Sequence, residues 1–169
     1  MREIALRRSI RQFEERPVER ELLERLARAG MQAPSACNQQ PWEFLFLTDR
    51  AMLDALSQVS THTKLLKGAP AALALLGDKR RMTRPQMWQQ DLSACTENVL
   101  LEAVSLGLGA VWMGVAPIEE RMETVRRILE LPDWMWPFNL VAIGYPRGGE
   151  NGFVDRYQPS RVHFERLDG

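Results

Sequence analysis

The sequence is poor in the residues that build cross-links and metal sites: 169 residues contain two cysteines and two histidines. Cys37 and Cys95 stand far apart and form no C-x-x-C pair, and with His62 and His163 they offer no familiar zinc-ligand spacing. A disulfide framework is not needed either, because a chain of this length buries about 70% of the surface its unfolded form exposes. Long apolar runs are also missing. None approaches the roughly 20 residues of a membrane helix, and the start, Met1 to Arg8, is charged and lacks the apolar core of a signal segment. The expectation is a soluble, cytoplasmic protein with reduced thiols. Excess charge of one sign is absent, with 22 basic against 22 acidic side chains, which argues against a general nucleic-acid binder. No G-x-S-x-G elbow occurs, and two histidines leave few bases to activate a nucleophile. Lysine is scarce too: Lys64, Lys67 and Lys79 are the only three, and every other cation is arginine, whose planar fork suits phosphate or carboxylate.

What is present reads as alternating helices and strands. Leu22, Leu23, Leu26 and Ala27 share one face of a helix over Glu19 to Ala29, with Gly30 as its stop. Phe44, Leu45, Phe46 and Leu47 form a strand-like run over Glu43 to Leu47, and Thr48 and Asp49 offer caps for a helix reaching about Val59. Ala69 to Leu76, closed by Gly77, reads as a second strand. The longest helix, about Gln86 to Leu106, is apolar nearly all round and therefore central. A strand at Ala110 to Val115, an amphipathic helix at Ile118 to Leu129 and a strand at Leu140 to Ile143 follow. The pattern predicts one sheet in a layered α and β structure, without internal repeats.

Gly107, Gly109 and Gly114 do not form a dinucleotide fingerprint, because a helix precedes them and a strand follows, the reverse of the required order. Two other segments stand out. Arg7-Arg8-Ser9-Ile10-Arg11-Gln12-Phe13 sets three arginines and a hydroxyl around an apolar anchor, a composition suited to phosphate. Ala33-Pro34-Ser35-Ala36-Cys37-Asn38-Gln39-Gln40-Pro41-Trp42 joins small residues, on which a planar ligand can lie, to amides that both donate and accept.

Together these segments resemble the nitroreductase family of flavin enzymes, with its R-R-S-x-R-x-F start and A-P-S-x-x-N-x-Q-P-W-x-F segment. The resemblance continues through Gln90-Asp91-Leu92 to Ala103, Gly107 to Gly114, and Ala142-Ile143-Gly144-Tyr145-Pro146, and so covers nearly the whole chain. It implies an α+β, three-layer fold with a central mixed, mainly antiparallel sheet flanked by helices. It also implies a homodimer with FMN at the interface: residues 1–148 as one FMN-binding domain, and residues 149–169 as a C-terminal arm exchanged onto the partner. In this resemblance Arg7, Arg8, Ser9 and Arg11 hold the FMN phosphate and ribityl chain, joined by Arg156, for which Arg147 or Arg161 are substitutes. Pro34, Ser35 and Ala36 pack on the isoalloxazine from the partner subunit, Asn38 meets the ribityl or ring edge, and Gly114 and Val115 present backbone N–H groups near flavin N5 and O4. The implied activity is ping-pong reduction of nitroaromatics, quinones or similar electron-poor acceptors by NADH or NADPH. A flavin transfers the hydride itself, so no catalytic residue is required of the protein, and scarce histidine is consistent with that. The alternatives are a reductive dehalogenase or flavin-degrading relative, and, in another class, a small nucleic-acid module using Arg7, Arg8 and Arg11. Met82, Met87 and Trp88, in the stretch Lys79 to Gln90, are either a wall for the acceptor or the start of the core helix. The loop Trp134 to Trp136 has no assigned role.

Overall fold

A computed structural model describes residues 2–148 and 152–167. Four strands form one sheet in the order β1-β2-β4-β3: β1 (Trp42–Leu47), β2 (Ala71–Asp78), β3 (Gly109–Gly114) and β4 (Met135–Gly144). All three pairings are antiparallel, and the parallel component is the isolated bridge between Ser9 and Ala110. Every residue of the interior strand β2 is buried, as expected where helices cover both faces.

The helices are α1 (Arg2–Leu6), α2 (Arg20–Gly30), α3 (Arg50–Leu56), α4 (Trp88–Ser105) and α5 (Glu119–Ile128). On one face Leu73, Leu75, Val141 and Ile143 pack against Leu92, Cys95 and Val99 of α4, with Leu23 and Leu26 of α2 in the same cluster. On the other, Ala72, Ala74, Leu140 and Ala142 meet Leu53 and Leu56 of α3 and Val125 of α5. The alternation along β2 and β4 thus feeds two cores, giving three layers. Among the described residues no helix is long and apolar enough to cross a membrane.

Most element boundaries lie within about two residues of those expected, and the Asp49 cap is confirmed: its carboxylate accepts the Met52 N–H at 2.9 Å. Gly77 lies inside β2 rather than closing it, because it pairs with Trp42 of β1 and Trp136 of β4; a Cβ there would meet Met82 Cε at 2.7 Å, so the place suits glycine. β4 begins five residues before Leu140, so Met135 and Trp136 belong to the strand. Pro137 is tolerated because the register slips between Leu75 and Leu76, where a donor-less residue does least harm.

Those contacts place the residues whose role was open. Trp88 is buried, 5.2 Å from Trp136 and 5.7 Å from Phe138 between ring centroids, so it begins the core helix. Met82 is buried as well, while Met87 is exposed. Lys79 lies over the Trp136 ring and Arg80 over the exposed ring of Trp134.

The chain between α1 and α2 is pinned to the end of β4. Glu14 N–H donates to the Tyr145 carbonyl at 2.9 Å, Tyr145 Oη donates to Glu19 at 2.6 Å, and Arg16 pairs with Glu19 while stacking on the Tyr145 ring. The Tyr145 hydroxyl leads these bonds in holding the Glu19 carboxyl down to about 2, against an ordinary 4.5. Because the folded-state value is depressed, the stabilisation is complete above about pH 4.5 and is lost as pH falls toward 2. Tyr145→Phe should therefore flatten acid unfolding followed by circular dichroism in that window and leave the pH 7 to 8 region level; an unchanged acid limb would contradict this role.

Candidate functional site

The arginine-rich segment runs beside β3. Ile10 N–H donates to the Ala110 carbonyl at 3.1 Å, and Arg147 N–H reaches the Gln12 carbonyl at 3.0 Å. The fit at Gly109 leaves no room for a side chain: a Cβ there would lie 2.7 Å from Ile10 Cγ2 and 2.8 Å from Ile10 Cβ.

The arginines take different partners: Arg7, whose N–H still bonds the Glu3 carbonyl at the end of α1, and Arg8 lie toward α4, while Arg11 lies elsewhere. Arg7 pairs with Glu97 of α4 at 3.4 Å. Arg8 lines a cavity of about 230 Å³ between α1 and the end of α4, and donates to the carbonyls of Ala5, Arg7 and Gly152. Ser9 and Arg11 are exposed, and Arg11 lines a different groove, of about 690 Å³, with Arg50, Lys64, Lys67 and Arg147. Glu14 and Glu15 line it too; Arg50 pairs with Asp54 at 3.0 Å and Arg147 with Glu15 at 3.9 Å, which leaves Arg11, Lys64 and Lys67 as its further cations. Arg147, a substitute for Arg156 in the sequence reading, is thus beside Arg11, whereas Arg156 stands exposed on segment 152–167. Sequence reasoning missed Lys64 and Lys67. They arrive from the turn Thr63–Gly68, more than fifty residues away along the chain.

At its other end β3 stops at Gly114, which is exposed and whose missing side chain would point into open space. Its carbonyl accepts from Arg121 at 3.0 Å. Val115 is fully buried and its N–H is engaged by the Phe138 carbonyl at 3.3 Å. The next available donors are at the start of α5, which has no side-chain cap. Arg121 and Met122 N–H both bond the Ile118 carbonyl, leaving the first-turn amides of Glu119 and Glu120. Those amides and the helix dipole favour negative charge at this point.

The small-residue segment belongs to the opposite edge. It leads directly into β1, three strand spacings, or about 14 Å, from β3. Pro34 and Asn38 are exposed, Ser35 and Ala36 half-buried. Cys37, Asn38 and Gln40 have left-handed φ values of 50°, 54° and 44°, and Ser35 Oγ accepts the Gln40 N–H at 3.0 Å. Two buried polar residues that no local sequence pattern marks, Asp91 and Gln39, hold this turn. The Cys95 thiol is pushed up to about 12 by burial and is inert, and both histidines are exposed.

A family model described as the Nitroreductase family matches residues 4–87 and 60–145. A protein of Archaeoglobus fulgidus named "Putative NADH dehydrogenase/NAD(P)H nitroreductase" is 42% identical over 166 residues, covering 96% of this chain and 95% of its own length. Among solved structures, a "Putative NADH Oxidase" from Clostridium acetobutylicum superposes with a TM-score of 0.95 at 48% identity, over 97% of this chain and 99% of that one. An "FMN-dependent Nitroreductase" from Clostridium difficile gives 0.86 at 30% identity, over 95% of both chains.

Proposed function

The chain belongs to the nitroreductase family, and on that premise we propose that it is an FMN-dependent oxidoreductase passing hydride from NADH or NADPH to nitroaromatics, quinones or similar electron-poor acceptors. The observation that carries this reading is the geometry of the edge strand β3. One end lies beside Ser9, whose segment leads on past the end of β4 to Arg11 and the cationic groove, and the other lies beside Gly114 and the uncapped start of α5. The four residue steps from Ala110 to Gly114 span about 13 Å, so an elongated ligand with an anionic group at one end and a hydrogen-bonding ring at the other fits along it. FMN has that form.

When bound, FMN supplies the hydride transfer. The chain's own residues bind and polarise. Ser9 and Arg11 hold the phosphate, with Arg156 and the groove cations adding charge; Arg7 and Arg8 join only by leaving Glu97 and the carbonyls they now hold. The backbone at Gly114 and the α5 amides face the ring's polar edge and stabilise negative charge there. Pro34, Ser35, Ala36 and Asn38, at the far edge of the sheet, meet that ring only if a second copy presents them, which supports a homodimer. Donor and acceptor occupy the same face in turn.

Arg11→Ala tests the assignment. The side chain is exposed and contributes little to folding, whereas a phosphate contact is a strong, charge-assisted one. Titration of the FMN-free protein should give about tenfold weaker FMN binding with the melting temperature nearly unchanged. Wild-type FMN affinity would refute it.

A further inference from the structure

Asp91, in the first turn of α4, is 4% exposed, and both of its oxygens are taken by neutral N–H donors. Oδ1 accepts the Ala36 N–H at 2.9 Å, and Oδ2 accepts Gln39 Nε2 at 2.5 Å. Gln39, itself buried, also donates to the Arg84 carbonyl at 3.2 Å and accepts the Arg84 N–H at 2.8 Å. Four hydrogen bonds therefore tie three separate pieces of chain together: the turn at 34–40, the start of α4, and the connection from Lys79 to Met87.

Two features make this more than ordinary packing. The turn holds three non-glycine residues at left-handed φ, a conformation that persists only where the surroundings over-determine it. A buried carboxylate is also a costly way to fill space. Its advantage over an amide is that both oxygens accept, and here two N–H groups from the turn converge on it.

We infer that Asp91 and Gln39 are positioning residues that lock the turn at 34–40 and the Lys79 to Met87 connection into one unit, so that FMN held against the turn also orders the connection. This rests on the reading of Pro34 to Asn38 as a flavin-facing surface. The connection carries the exposed Met87 and the Arg84 backbone that Gln39 grips, so cofactor occupancy at the turn is transmitted to this surface segment through Gln39.

Amide hydrogen exchange and FMN titration on the full-length protein test the lock. In the wild type, FMN should slow exchange in both 35–40 and 79–87. Asp91→Asn keeps an acceptor for Ala36 but sets its NH2 against that of Gln39. It should weaken FMN binding about tenfold and abolish FMN-dependent protection of 79–87, leaving exchange in β2 unchanged. Gln39→Met, which keeps the volume and removes the amide, should do the same and carries the test if Asp91→Asn does not fold. Wild-type affinity with coupled protection in either variant overturns the inference, as does faster exchange throughout β2, the mark of general destabilisation. If the wild type binds no FMN, the reading of the turn fails, while the lock is still tested: in FMN-free protein Gln39→Met must speed exchange in both segments, and a change in one alone refutes it.

Discussion

Truncation after Gly148 is expected to yield a folded but monomeric protein that carries no FMN. In a single chain Phe153, Val154, Tyr157, Val162, Phe164 and Leu167 are between 43% and 85% exposed, an apolar load that an isolated surface segment does not retain without a partner. Burying six such side chains is worth on the order of 10 kcal/mol, enough to offset much of the cost of associating two chains. Neither core cluster contains a residue of this segment, so its loss should leave the fold intact and the circular dichroism near that of the full chain. It also removes Arg156. Light scattering should report a monomer, and added FMN should not be retained on gel filtration. A yellow, dimeric truncate would contradict both the arm exchange and the interfacial cofactor.

Gly109→Val is expected to have the largest effect of any single substitution outside the core. The first atom of the new side chain would overlap Ile10 at 2.7 to 2.9 Å, against the root of that side chain rather than its flexible tip. Either β3 or the segment carrying Ser9 and Arg11 must move, and the Ser9 to Ala110 bridge opens. Overpacking of this kind costs about 3 kcal/mol, or a fall in melting temperature of about 10 °C for a chain of this size. FMN affinity should fall with it, because the anionic end of the site is displaced from β3. Adding Ile10→Ala makes room and should recover much of both losses. If Gly109→Val melts and binds FMN like the wild type, the segment is not held to β3 in the way described.

Elements were legible from the sequence where the periodicity was long or the punctuation strong. The amphipathic α2 and α5, the continuous apolar α4 and the capped α3 stand close to their expected positions. The sequence pattern marks β4 only at Leu140 to Ile143, since a proline at 137 reads against a strand, whereas pairing with β2 shows a register slip that accommodates it. The candidate site was legible where it is contiguous. The segments at 7–13 and 33–42 announce their chemistry by composition, but how the side chains divide does not show in one dimension. Arg8 and Arg11, three residues apart, line different cavities, one bounded by α4 and the other by the turn Thr63–Gly68. Lys64, Lys67 and the Asp91 to Gln39 lock come from chain segments far apart in sequence, and no local pattern distinguishes a buried aspartate at a helix start from a surface one.

The central claim is that β3 and its flanks hold a flavin in a two-chain protein. Its most direct test is the absorption spectrum of the purified full-length protein, recorded without air before and after NADH or NADPH is added. The predicted result is an oxidised-flavin spectrum that bleaches on addition of the nicotinamide and returns with a quinone or nitroaromatic acceptor, the flavin being FMN when a separate sample is denatured to release it. A colourless protein that takes up no FMN when reconstituted would contradict the account.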